Sequence, residues 1–130
     1  MGERDEDPFV RYDGFDCLTF TEEAMALALS DDQDSLDRIR LDLRYHDAQH
    51  IYRTRNHFMI SQWIPNAVQK GYLKDITHTL GETHVVTKEI TRHNWERWRG
   101  RHAFEFSPSD FPIGTYRLGV LSLDAALQAI

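Results

Sequence analysis

This 130-residue chain is poor in cysteine, proline and lysine, with one, four and three of them. The lone Cys17 excludes an internal disulfide and any cysteine-built zinc cluster. No apolar run approaches the roughly 18 residues that a membrane span needs. The opening Met1 to Asp7 is acidic, unlike the basic start of a secretory leader. Gly2 follows Met1, but Glu6 stands where an N-myristoylation signal has Ser or Thr. Internal repeats, low-complexity tracts and a linker long enough to separate two domains are all missing. What is there is ordinary globular material, 41% hydrophobic and 28% charged, enough for one domain with a core.

Charge is unevenly spread. Residues 1–37 hold 12 acidic side chains against two arginines, whereas the rest of the chain is mildly basic within a total of −6. A dedicated nucleic-acid binder usually declares a basic stripe, so no nucleic-acid partner is expected. Residues 1–12 read as an acidic, flexible arm, with Pro8 ending any helix there, and residues 13–130 as a single domain. The stretch Asn94 to Arg101 mixes tryptophans and arginines. It reads as a helix end with arginines lying over the rings, or as a surface that stacks a base or sugar.

Hydrophobic spacing sets the elements. Cys17, Phe20, Ala24, Leu27 and Ala28 recur at helical intervals and predict one apolar face of a helix from about Cys17 to Leu29, with Asp16 as N-cap. Leu36, Ile39 and Leu43 mark a second helix over Ser35 to about Leu43. Arg44 to Thr54 reads as an extended pair turning at Asp47-Ala48. Phe58 to Gln69 reads as a helical piece interrupted at Pro65 and stopped by Gly71. Tyr72 to Thr77, His84 to Thr91 and Thr115 to Leu121 read as strands. Ser107-Pro108-Ser109-Asp110 and Pro112 mark a loop, and Ser122 caps a last helix running through Ala129. Helices first, then short strands mixed with helices, predict an α+β fold.

Cys17 is the candidate for chemistry. Its thiolate is the nucleophilic form, and the unpaired N–H groups and dipole of a helix N-terminus favour that anion. Asp16 opposes the effect with its own charge. The bland alternative is a small core side chain. Among the seven histidines, His46 and His50 have a spacing of four, but no carboxylate signature accompanies them. No metal and no cofactor is expected. His57 sits beside Arg53, Arg55 and Asn56 and is read as a hydrogen-bonding residue near a cleft, with a catalytic base as the lesser alternative. Arg53 or Arg55 could hold a substrate carboxylate bidentately, or pair with Asp13 or Asp16. Trp63 is read as core, with sugar stacking as its alternative.

The stretch Asp13-Gly14-Phe15-Asp16-Cys17-Leu18-Thr19-Phe20-Thr21-Glu22-Glu23 resembles the nucleophile segment of the papain-like cell-wall cysteine hydrolases of the NlpC type. Leu43-Arg44-Tyr45, Arg53-Thr54-Arg55-Asn56-His57-Phe58, Trp63-Ile64, Asn66, Gly71 and Asp75-Ile76-Thr77 follow in the order of one branch, the N-acetylmuramoyl-L-alanine amidase-like family. The resemblance covers roughly residues 9–130. It implies a papain-like α+β core, Cys17 as nucleophile, and amide hydrolysis in a peptidoglycan fragment through a thioester. It also implies Asp16, Arg55, Asn56 and His57 near the cleft, and the bacterial envelope as working place. Two family features have no counterpart here: a Gly-Thr-Pro-Tyr-like turn ahead of the nucleophile and a His-x-Gly pattern after it. The expectation is therefore an incomplete core, part of a longer enzyme, prone to self-association where apolar surface is left bare. A non-catalytic module that binds a wall fragment or a protein is the alternative.

Overall fold

The structure is a computed structural model, and it describes residues 4–98 and 111–129. The chain forms two compact units, Met1–Leu73 and Lys74–Ile130.

In the first unit, α1 spans Cys17–Leu29 and α2 spans Gln33–Arg44. Both begin the same way. The Asp16 carboxylate accepts from the Thr19 N–H, and the Asp32 carboxylate from the Ser35 N–H. The Thr19 and Ser35 hydroxyls accept in turn from the N–H groups of Asp16 and Asp32. These reciprocal boxes satisfy donors that a helix start leaves without partners. On α2 the expected stripe of Leu36, Ile39 and Leu43 is buried.

On α1 the expected face is reversed. Cys17, Ala24 and Ala28 are exposed, and Phe20 and Leu27 are 62% and 57% exposed. Glu22, Glu23 and Ala26 point inward instead, with Leu18 and Met25 packed at the margin of the core. The helix is apolar on both sides, so periodicity alone does not choose between them. The choice falls to the two glutamates, which find guanidinium partners on α2 only when they turn inward.

A five-residue π-helix, Met59–Trp63, runs directly into α3, Ile64–Gln69. Pro65 therefore does not interrupt the helix. It sits in the first turn of α3, where its missing N–H costs nothing. Trp63 and Ala67 join Ala26, Leu36, Ile39 and Leu43 in one core cluster. Gly71, at φ +80°, closes α3: its N–H reaches the Val68 carbonyl and the Tyr72 N–H reaches Ala67, a Schellman ending. That reversal lays Tyr72 and Leu73 on the core and the Tyr72 hydroxyl on the Asp42 carboxylate at 2.8 Å. The strand expected from Tyr72 to Thr77 is consequently absent, and Thr77–Leu80 is a short helix, α4.

The extended pair expected over Arg44 to Thr54 reduces to one antiparallel bridge, Tyr45 to Arg55. A turn with Ala48 at φ +57° and a single 3-10 turn, Tyr52–Thr54, close it. The segment read as a loose arm is held at several points. Arg4 bridges Ile51, the Asp5 N–H donates to the His50 carbonyl, and the Asp5 side chain is buried on Tyr45 and Arg55. Asp5 and Asp7 have cationic and hydroxyl partners farther along the chain, which composition does not reveal.

The second unit is built on a two-stranded antiparallel ribbon, β1 Thr83–Ile90 with β2 Gly114–Leu121, in a register from Thr83↔Leu121 to Ile90↔Gly114. Two helices, α5 Arg92–Trp98 and α6 Leu123–Gln128, accompany it. Ser122 caps α6 through the Ala125 N–H. Among the described residues, Ile90, Trp95 and Phe111 are its buried apolar side chains, and the Trp95 indole donates to the Pro112 carbonyl at 3.0 Å. The expected loop at Ser107-Pro108-Ser109-Asp110, together with Arg99 and Arg101, lies outside the described residues. The class is α+β, as the element order implies.

Candidate active site

Cys17 is the first residue of α1 and is exposed to solvent. The capping box of Asp16 and Thr19 holds the backbone on both sides of it. The Thr21 hydroxyl donates back to the Cys17 carbonyl at 2.8 Å. The Thr19 N–H also draws the Asp16 carboxyl below its ordinary range, and the Arg55 charge adds to that.

Behind this helix start lies a network of ion pairs that sequence reasoning missed. Glu22 accepts from Arg44 Nε at 2.8 Å and from the Trp63 indole at 3.0 Å. Arg44 donates further to the Phe9 carbonyl. Glu23 takes the fork of Arg40, with Nε at 2.8 Å and Nη2 on its other oxygen. Arg40 also holds Asp37 and the Tyr12 hydroxyl. Burial pushes the Glu22 carboxyl up despite Arg44 beside it. Two adjacent glutamates inside an otherwise apolar helix, followed by arginines four apart on the next, were the available signal.

A cleft of about 340 Å³ opens between this network and the segment ahead of α1. Asp7, Gly14 and Phe15 border it from that segment, Asp16, Thr19 and Glu23 from the start of α1, and Arg44 and Arg55 from the far side. Asp16 and Arg55, two of the residues expected near a cleft, line this one. Cys17 is next to Asp16 but is not part of the lining. Asn56 is a correction. It is buried, its side-chain amide donates to the Leu43 carbonyl at 3.0 Å, and its backbone N–H reaches Arg44. It fixes the chain under the cleft and does not face it.

His57 likewise turns away from the lining. Its Nε2 lies 3.0 Å from the Tyr52 carbonyl, which can only accept, so that nitrogen carries the proton. Its ring sits 4.6 Å from the Tyr52 ring. Burial lowers its pKa to about 4, against the help of the Tyr52 carbonyl. The folded form thus holds a neutral ring that the unfolded chain protonates near 6.5. This contribution to stability is complete above pH 6.5 and is lost as pH falls towards 4. Urea midpoints measured from pH 7 to 4 should fall more steeply in the native chain than in His57→Gln, by roughly 1–3 kcal/mol across that window. Parallel curves would refute the assignment.

The remaining candidates are accounted for by their neighbours. Trp63 is 4% exposed and committed to Glu22, so it offers no face to a sugar. His50 lies against the Asp7 carbonyl, between the rings of Phe9 and Tyr45. Among the described residues no group of three or more His, Cys, Asp or Glu side chains could hold a metal ion, and no helix is long and apolar enough to cross a membrane.

Comparison with known proteins gives three findings. A family model described as N-acetylmuramoyl-L-alanine amidase-like (AmiA-like) matches residues 1–102. A solved structure from Legionella pneumophila str. Philadelphia 1, of the family DUF1460, is similar with a TM-score of 0.69 at 22% identity, over 90% of this chain and 46% of that one. A Bacteroides fragilis protein described as a candidate xylanase is similar with a TM-score of 0.51 at 33% identity, over 65% of this chain and 38% of that one. The chain thus spans less than half the length of either structure. No curated protein matches it.

Proposed function

This chain belongs to the N-acetylmuramoyl-L-alanine amidase-like family, and on that premise we propose that it serves as a cysteine-dependent hydrolase of an amide bond in peptidoglycan. Cys17 is the nucleophile of this reading, on a papain-like core of the NlpC type. The observation that carries it is the placement of the one thiol: exposed, at the first position of a 13-residue helix, one residue from a cleft wall. The Sγ thiolate attacks the carbonyl carbon, and a C–S bond forms as the carbonyl π pair moves onto oxygen. Collapse breaks the C–N bond, and the nitrogen leaves as an amine carrying the proton that the thiol gave up when it became the thiolate. Water then splits the thioester to a carboxylic acid and restores the thiol. The partial coverage of the Legionella structure supports a further element of the reading. On this reading the chain is one part of a longer catalytic domain.

Thiol reactivity tests this without requiring turnover. At pH 6.5 iodoacetamide should label Cys17 at least about tenfold faster than it labels glutathione, because a free thiol near pKa 8.5 is mostly protonated there. Labelling no faster than glutathione would sink the hydrolase. Saturable binding of a muropeptide that is indifferent to prior alkylation would instead favour a wall-binding module.

A further inference from the structure

Arg55 holds two carboxylates on the same guanidinium nitrogen, and they differ in kind. Asp5 Oδ2 lies 3.2 Å from Nη1, on a side chain with no exposure at all. That oxygen also accepts from the Tyr45 hydroxyl at 2.9 Å, and its partner oxygen accepts from the Asp7 N–H. Asp5 is therefore the fixed counter-ion: one buried negative charge against one positive. Asp7 is the second carboxylate on Nη1, and its side chain is 59% exposed at the cleft wall. It adds a negative charge to a cation already neutralised, and it does so in contact with water, where an ion pair is weak and readily exchanged.

Together Asp5 and Asp7 hold the Arg55 charge against the burial that opposes it. Removing Asp7 from the guanidinium would leave the Asp5 pair and the Tyr45 hydrogen bond intact. It would also free an N–H donor that opens on a cleft large enough for a peptide fragment. The Asp7 side chain thus occupies the position that an incoming carboxylate would take, and it does so intramolecularly.

We propose that Arg55 is the carboxylate-recognition point of this cleft and that Asp7 is its built-in placeholder, displaced when a peptide bearing a free carboxylate binds. The ligand class rests on the peptidoglycan reading above, since acidic stem peptides supply such groups; the exchange of one carboxylate for another does not. A neutral ligand gains nothing at Arg55 and has no means of displacing Asp7.

The test is binding to the full 130-residue chain, by calorimetry, of N-acetyl-L-alanyl-D-glutamate and of its fully amidated counterpart. The acid should bind at least tenfold more tightly than the amide. Asp7→Asn, which keeps the backbone contacts and removes the competing charge, should tighten the acid three- to tenfold and leave the amide unchanged. Arg55→Lys keeps a cation beside buried Asp5 but loses the planar fork, and should weaken the acid at least fivefold. Equal affinities for the two probes, no binding of either, or an Asp7→Asn variant that binds the acid no better would each overturn the proposal. Thermal melts of both variants establish that each is folded. Preference for the acid with an unreactive Cys17 retains this inference and removes the hydrolase; a reactive Cys17 without that preference does the reverse.

Discussion

Glu22→Ala is expected to lower the stability of the first unit by about 3–5 kcal/mol, the range for removing one partner of a buried ion pair. The Glu22 side chain is 3% exposed and that of Arg44 10%. The carboxylate bonds α1 to Arg44 on α2 and to Trp63 at the head of α3. With alanine there, the guanidinium keeps the Phe9 carbonyl but loses its counter-charge, and the indole loses its acceptor. Against a total of roughly 5–15 kcal/mol for a folded domain, that loss is a large fraction. The urea midpoint should drop accordingly. Glu22→Gln keeps an acceptor for Trp63 and should cost less, about 1–3 kcal/mol. Glu22→Leu combined with Arg44→Met should recover much of the loss, because a packed apolar pair replaces a desolvated ionic one. By contrast Arg11→Ala, which breaks a pair with both side chains more than half exposed, should leave the midpoint unmoved. A Glu22→Ala midpoint like that of Arg11→Ala would mean that the pair is not buried in solution.

The same pair explains what could and could not be read from the residues. Helix α1 was legible from end to end because its signals are local: Asp16 ahead, Thr19 three residues on, and Ser30 behind. Its buried face was not. Phe20 and Leu27 on one side, and Leu18 and Met25 on the other, satisfy helical spacing equally. The decision is made some 20 residues away, by Arg40 and Arg44. Strands β1 and β2 were legible from their Val, Ile and Thr content. The supposed strand after Gly71 was not, because a Schellman turn and the Tyr72–Asp42 bond fold it back.

The cleft divides in the same way. Asp16 and Arg55 stand out by charge near the helix start. Asn56 and His57 share that neighbourhood in sequence, but the Leu43 carbonyl takes the Asn56 amide inward and the Tyr52 carbonyl holds the His57 ring away from the lining. The acidic start misled most. Asp5 is read as solvated when its net charge is counted, yet it is among the most buried polar groups, because Tyr45 and Arg55 lie 40 and 50 residues on.

Cys17→Ala should separate chemistry from structure more sharply than any other single change. Whatever amide hydrolysis the chain supports, removing the attacking atom should reduce it by roughly 10³-fold or more, as loss of a nucleophile does elsewhere. Stability should stay within about 0.5 kcal/mol, the usual range for an exposed position. The helix start rests on Asp16 and Thr19, and the Thr21 hydroxyl bonds the residue 17 carbonyl, which alanine retains. A core cysteine would behave otherwise: its removal would leave a cavity, lower the urea midpoint and do little to a site elsewhere. The two outcomes are opposite in both measurements. Unchanged product release from N-acetylmuramoyl-L-alanyl-D-isoglutamine, or a marked fall in the midpoint, would therefore each count against Cys17 as the nucleophile.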